Sequence, residues 1–331
     1  IQGIKGSFHH IVANNYFEED INLIEYLSFE ELILNLFYDK IDYAIMAIEN
    51  STAGSIIPNY ALIDEYGVNI VGEYYLQITH NLIALKGQSI EDIKEVQSHP
   101  MALLQCRDFF KDNSDIVLIE DKDTAQVAKK ISENKIKGLG AIASDLASKI
   151  YGLDIINDNI QTIKKNQTRF VILQKKCPIK KLNFNNASVK FELDHKRGSL
   201  AAILNVLSDC KLNLTKIQSM PKIQTPWRYS FFVDVTFDKL EDYFKAKSII
   251  EIMAKDFKVL GEYKNSKDDW IFKKNRRISE YYFSSKLREV KSLIDSGEDI
   301  INLGIGSPDL SPPTPVIKKL KDSLNVTGAH K

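Results

Sequence analysis

Along the first 158 residues, short apolar runs alternate with stretches of helical period. Tyr43–Ile48, Ile116–Ile119 and Leu139–Ala143 read as strands. Ser28-Phe29-Glu30-Glu31 reads as a capping box, in which the Ser28 hydroxyl takes the Glu31 amide and the Glu31 side chain reaches back. The helix it opens turns Leu32 and Leu36 inward. Asp123-Thr124-Ala125-Gln126 opens another, with Val127 and Ile131 on one face. A further helix is expected over 101–111, with Pro100 suited to its first turn. Strands alternating with helices predict an α/β sheet domain.

The pattern breaks at 175–186, where Pro178 in a polar tract predicts a linker. A compact stretch follows: strand Ala187–Leu193, helix Gly198–Ser208, strands Asn213–Ser219 and Trp227–Phe237, helix Leu240–Ala254, strand Phe257–Tyr263. That order is βαββαβ, a ferredoxin-like split βαβ. Tyr229, Phe231, Val233 and Val235 alternate with their neighbours, as a half-buried strand requires. From Asp268 the character changes again. A charged helix is predicted over Ser284–Ser296, and Ile300–Leu303 then runs into Gly304-Ile305-Gly306-Ser307-Pro308-Asp309. Both ends read as cut, Ile1-Gln2-Gly3 being the close of a strand and Ala329-His330-Lys331 an abrupt stop.

A chain of 331 residues predicts more than one domain. Lys+Arg and Asp+Glu balance at 44 each, which removes the polybasic footprint that nucleic-acid or membrane partners require. No apolar run approaches the ~20 residues of a membrane helix, and the start carries no signal-peptide pattern. Cys106, Cys177 and Cys210 lack CxxC spacing, which points to reduced thiols in a cytoplasmic protein. No metal-ligand spacing occurs, so no metal site is expected.

Candidate chemistry gathers at polar turns beside strands. Asn166-Gln167-Thr168-Arg169-Phe170 puts a hydroxyl, a fixed cation and an aromatic ring where an apolar strand begins. The plainer reading has Arg169 paired with a surface carboxylate, Phe170 in the core and Thr168 as a β-former. Glu49-Asn50-Ser51-Thr52-Ala53-Gly54-Ser55 offers neutral donors, or simple capping oxygens. Gly3-Ile4-Lys5-Gly6-Ser7 is a strand-to-helix turn able to cradle a carboxylate, and it lacks a nucleotide-binding signature. His9 and His10 read as packing residues. His99, between Ser98 and Pro100, is either a site residue or an anchor of its turn.

In this order these motifs resemble those of prephenate dehydratases: Gly6-Ser7-Phe8, Ile48 to Ser55, Ser98-His99-Pro100 with Gln105-Cys106, Asp123-Thr124-Ala125, Tyr151-Gly152-Leu153 and Asn166 to Phe170. Met101 departs from the Gln of many members. The resemblance implies a catalytic domain at 1–174 with two lobes like a type II periplasmic binding protein, a linker at 175–186, and a ferredoxin-like ACT regulatory domain at 187–265. It implies loss of CO2 and water from prephenate to give phenylpyruvate in L-phenylalanine biosynthesis, with no cofactor. Thr168, Arg169 and Ser51 are then expected at the chemistry, and Ser7, Asn50, Thr52, Phe170 and His99 around the substrate. L-phenylalanine is the implied effector, at Gly198, Leu200, Asn213, Leu214 and Ser219. Gln218 and Met220 depart from the Glu-Ser-Arg-Pro of that domain, which puts the feedback in question. A homodimer or dimer of dimers is implied. Residues 266–331 are then a linker and a fragment, of which 279–331 resembles the start of a fold-type I, PLP-dependent aminotransferase, through Asn302 to Asp309 and Pro312-Pro313. Arogenate dehydratase, or a non-catalytic amino-acid sensor, are the alternatives.

Overall fold

The computed structural model describes residues 1–17, 20–176, 183–194, 196–221 and 228–264. The described residues all fall within one compact unit. The expectations for the tail, from Ser284–Ser296 to the aminotransferase-like segment, lie outside the described residues.

The chain builds a first lobe from α1 (Phe8–Tyr16), α2 (Phe29–Phe37), β1 (Ala44–Asn50), β2 (Gly54–Ser55), α3 (Ile57–Glu65) and β3 (Asn69–Gln77). It crosses to a second lobe of β4 (Asn81–Ala84), β5 (Glu95–Ser98), α4 (Pro100–Gln105), α5 (Arg107–Lys111), β6 (Val117–Glu120), α6 (Thr124–Asn134), β7 (Leu139–Ala143), α7 (Asp145–Tyr151) and β8 (Asp154–Asn157). β9 (Gln167–Gln174) returns to the first lobe, between β3 and β1. A βαββαβ module follows: β10 (Asn186–Glu192), α8 (Ser199–Asp209), β11 (Asn213–Pro221), β12 (Tyr229–Thr236), α9 (Leu240–Met253) and β13 (Lys255–Tyr263).

The second lobe has its own five-stranded sheet, ordered β6-β5-β7-β4-β8. First lobe and module share one eight-stranded sheet, ordered β11-β12-β10-β13-β3-β9-β1-β2. The seam is the parallel pairing of β13 with β3, where Gly261 lies opposite Ile70. A Cβ on Gly261 would run into the Ile70 backbone carbonyl, so the seam closes only on glycine.

Local expectations mostly recur, with instructive differences. Ser28 caps α2, but Glu31 accepts from the Leu27 amide, one residue before the cap. The helix expected over 101–111 is two short helices broken at Cys106. The Cys106 amide bends onto the Ala102 and Leu103 carbonyls, which tightens and ends the turn. β12 is buried on both faces along its centre rather than on one. Val233 and Val235 face the helices of the module. Phe232, on the other side, enters the first lobe's core beside Tyr60, Ile63 and Val171, with ring centroids of Phe232 and Tyr60 5.4 Å apart.

His9 on α1 is buried edge-on between Phe29 and Phe170, with centroids 5.5 and 5.0 Å away. Burial, and secondarily the charge of the N-terminus, push its pKa down from 6.5 to about 3. As pH falls below 6.5 the unfolded chain gains a proton that the folded chain refuses, so stability is lost from there down to about pH 3.

Two predictions follow from this packing. Gly261→Ala is expected to lower unfolding free energy by about 1–3 kcal/mol, read as an earlier urea midpoint; an unmoved midpoint would reject the close seam. Between pH 6.5 and 5, His9→Gln is expected to lose about 2 kcal/mol less stability than the parent. Parallel denaturation curves at the two pH values measure this, and equal losses would place a charged imidazole in the folded state.

Candidate active site

The lobes enclose a cavity of about 590 Å3. The first lobe contributes Ser7 and Phe8 at the start of α1, Asn50 at the end of β1, Ile56 and Ile57 at the start of α3, and Thr168 and Phe170 from β9. The second lobe contributes His99 and Met101 at the start of α4, then Gln105, and Lys122 to Thr124 at the start of α6. His80 lies on the crossing from β3 to β4. Four helix N-termini therefore border one space, and their partial positive charge favours an anion there. Lys122 is the one lysine or arginine among the lining residues.

A chain of amides fixes hydrogen positions at the centre. The Asn50 side-chain carbonyl accepts from the backbone amides of Thr52 and Ala53, at 2.9 and 2.8 Å, and from the Thr52 hydroxyl at 2.7 Å. Its NH2 must then point the other way, donating to Asn166 Oδ1 at 2.7 Å and Thr168 Oγ1 at 2.9 Å. Asn166 in turn donates to Gln105 Oε1 at 2.8 Å, and the Gln105 NH2 donates to Thr52 Oγ1 at 3.1 Å. His80 Nε2, 2.8 Å from Gln105 Oε1, is thereby a donor. Burial lowers the His80 pKa despite that bond, consistent with a neutral ring. Because Thr168 Oγ1 accepts from Asn50, its own hydrogen is left for the cavity.

Strand alternation sorts the residues expected at the site. β1 and β9 pair with Asn50 opposite Thr168 and Glu49 opposite Arg169. Asn50, Thr168 and Phe170 face the cavity together with Ser7 and His99. Ser7 also caps α1, and His99 caps α4 by accepting from Met101. Thr52 faces an adjoining cavity of about 330 Å3, shared with Gln105, Met101 and Asn166, and steadies Asn50 from there.

Arg169 and Ser51 require correction. Consecutive side chains of a strand point to opposite faces, so Arg169 cannot share the face of Thr168. It is buried on the far side, where Nε donates to Glu73 at 2.8 Å, Nη2 donates to Tyr263 at 2.8 Å, and Nη1 meets Asp234. Burial alone would lower its pKa; Asp234, Tyr263 and Glu73 more than offset this and hold it charged. The plainer reading has this cation paired with a carboxylate at the surface; its two carboxylate partners are instead buried. Ser51 also turns to the far side: its hydroxyl accepts from the Gln167 amide at 2.9 Å and ties β1 to β9. Both line a separate polar cavity of about 240 Å3 with Glu49, Tyr75 and Lys216.

The residues expected around an effector are not gathered within one chain. Leu200 lines a cavity of about 120 Å3 with Phe231, and Ser219 is the strand partner of Phe231. Asn213 and Leu214 pair instead with Thr236 and Val235, toward the other end of β12. Gly198 stands before α8 in a left-handed conformation. Met220 packs against the first lobe's core.

Gln105 and Asn166 are cavity residues that sequence reasoning quoted within motifs without assigning them to the site. The signal for Asn166 was an amide two residues before Thr168, and for Gln105 its place five residues after Pro100 in the Ser98-His99-Pro100 stretch. His80 carried no signal beyond being a histidine between two strands. Asp123 borders the cavity too; burial raises its pKa, against its bonds from the Gln126 and Ala125 amides. Among the described residues, no group of three or more His, Cys, Asp or Glu side chains is placed to hold a metal ion, and no helix is long and apolar enough to cross a membrane.

Comparison with known proteins agrees with this geometry. The prephenate dehydratase family pattern matches residues 1–178. The bifunctional chorismate mutase/prephenate dehydratase of Buchnera aphidicola subsp. Acyrthosiphon pisum is 32% identical over 274 residues, covering 80% of this chain and 70% of that protein. The crystal structure of prephenate dehydratase from Staphylococcus aureus superposes with a TM-score of 0.69 at 26% identity, covering 80% of this chain and 98% of that one. Prephenate dehydratase from Arthrobacter aurescens, solved in complex with L-Phe, shares the fold with a TM-score of 0.73 at 20% identity, covering 89% and 100%. The matched family, the two-lobed α/β fold and the cavity between the lobes agree: this chain belongs to the prephenate dehydratase family.

Proposed function

We propose that the cavity converts prephenate to phenylpyruvate, with Thr168 assisting departure of the ring hydroxyl. The observation that carries this reading is the Asn50–Thr168 bond, which leaves the Thr168 hydrogen free inside a space ringed by helix N-termini. As the ring carboxylate leaves as CO2, its bonding electrons enter the ring and the opposite C–O bond breaks. The departing oxygen needs a donor, and Thr168 supplies a hydrogen bond while solvent supplies the proton that completes water. A threonine hydroxyl adds no negative charge beside a dianion, as an ionised carboxylate would. Aromatisation drives the step, so no electron-sink cofactor is invoked.

The substrate carboxylates fall to Lys122, His99 and the starts of α1 and α3. α3 begins without a side-chain cap, so the positive end of its dipole is unopposed by a capping oxygen. Phe170 and Phe8 supply apolar surface for the ring. Within this reading the domains run 1–174, 175–186, 187–265 and 266–331. The βαββαβ module is an ACT domain with L-phenylalanine as its ligand, in the manner of the Arthrobacter aurescens relative solved with L-Phe. Its scattered effector residues are completed by a second copy, in a homodimer or dimer of dimers. The tail is the start of an aminotransferase-like segment.

Phenylpyruvate formation from prephenate, assayed beside arogenate, tests the reaction. Thr168→Ala is expected to lower kcat about 10²–10³-fold with KM within a few-fold, and Thr168→Ser to retain most activity. Equal kcat for Thr168→Ala and the parent would remove Thr168 from the chemistry. Arg169→Met is expected to cost about 3–5 kcal/mol of stability, since it strands two buried carboxylates. A variant as stable as the parent with a raised KM would return Arg169 to the substrate.

A further inference from the structure

Behind the cavity, two cross-strand pairs of opposite charge meet face to face. On the first lobe, Glu49 of β1 lies opposite Arg169 of β9. On the module, Lys216 of β11 lies opposite Asp234 of β12. Lys216 Nζ reaches Glu49 Oε2 at 2.9 Å and donates to Ser55 Oγ at 2.9 Å, over the Tyr60 ring at 5.3 Å. Asp234 takes Arg169 Nη1 and the Ser188 hydroxyl. Each first-lobe partner immediately adjoins a cavity residue: Glu49 precedes Asn50, and Arg169 follows Thr168. The same two strand segments are thus held from behind by the module and face substrate in front.

We propose that Lys216 and Asp234 are positioning residues, through which the βαββαβ module sets the spacing of Asn50 and Thr168. The inference rests on the dehydratase reading of the cavity. Its basis is mechanical. The 2.9 Å Asn50–Thr168 bond directs the Thr168 hydrogen, and that bond spans β1 and β9 at the register where Glu49 and Arg169 are gripped. Each of the three Arg169 nitrogens is bonded to a group on β3, β12 or β13. Lys216 holds both ends of the turn that carries Asn50, at Glu49 and Ser55. A shift of β11 and β12 therefore moves both segments, and displacement of a reacting group by about 1 Å can cost about a hundredfold in rate. Regulation by the module then needs no ligand in the cavity.

Steady-state kinetics on the full chain test this with Lys216→Met, Asp234→Asn and Lys216→Arg. Lys216→Met is expected to lower kcat about tenfold with KM within about twofold, and Lys216→Arg to recover most of the loss. In a Thr168→Ala background, Lys216→Met is expected to change kcat less than about twofold, because no hydroxyl remains to be positioned. Should Asp234→Asn fail to fold, Lys216→Met still decides, since its partner Glu49 is part-exposed. Should that variant unfold as well, Glu49→Gln is measured in its place with the same expectation. Full kcat in the folded variants overturns the proposal, and so does a tenfold loss that persists in the Thr168→Ala background. A parent inactive on both prephenate and arogenate removes the dehydratase reading and this one together; an active parent with unaffected variants removes this one alone.

Discussion

The geometry of the site depends on strand pleating at the pairing of β1 with β9. Successive side chains leave a strand on opposite sides. Here one side of the pair carries Asn50, Thr168 and Phe170 into the inter-lobe cavity, and the other carries Glu49 and Arg169 into an ion network with the module. Cavity-facing and structural side chains therefore alternate residue by residue. The buried cation is stable where it lies because Glu73 and Asp234 neutralise it and Tyr263 fills a remaining donor direction.

The cavity side is organised by neutral groups. Backbone amides of Thr52 and Ala53 orient Asn50, and that choice propagates through Asn166 and Gln105 to His80. Its members are amides, hydroxyls and the His80 imidazole, whose pKa burial lowers, so the network holds no carboxylate and no fixed cation. Attraction for a dianion comes from outside it, from Lys122 and the four helix starts. The groups that orient Asn50 and Thr168 are thus distinct from those that carry positive charge.

Much of this was legible in the sequence. The α/β alternation, the βαββαβ order and the motifs around Ser7, Asn50, His99 and Thr168 fixed the first lobe's side of the cavity and the turn of α4. Arg169 and Ser51 carry chemistry that suits an anion, but period-two alternation along β9 sends Arg169 away from the cavity, and Ser51 bonds across to Gln167. Thr168 and Phe170 facing one way is already the statement that Arg169 faces the other. The second burial face of β12 was hidden for a different reason. Phe232 and Asp234 alternate with Val233 and Val235 in a manner that fits a solvent face, and only docking of the module onto Tyr60 and Arg169 reveals a second interior. His80 depends on a tertiary hydrogen bond to Gln105 and no local pattern announces it.

The shared sheet bears on how the chain is made. β3 finds one neighbour in β9 and the other in β13, which lies nearly two hundred residues further along the sequence. While the chain is still being synthesised, that margin of β3 presents unpaired amides and carbonyls above an apolar core that still lacks Met220, Phe232, Leu260 and Tyr263. Long-range closure of this kind is slow compared with local helix formation. The last strand of the module is thus the one that seals the first lobe, and a nascent chain is most exposed to edge-to-edge association just before it arrives.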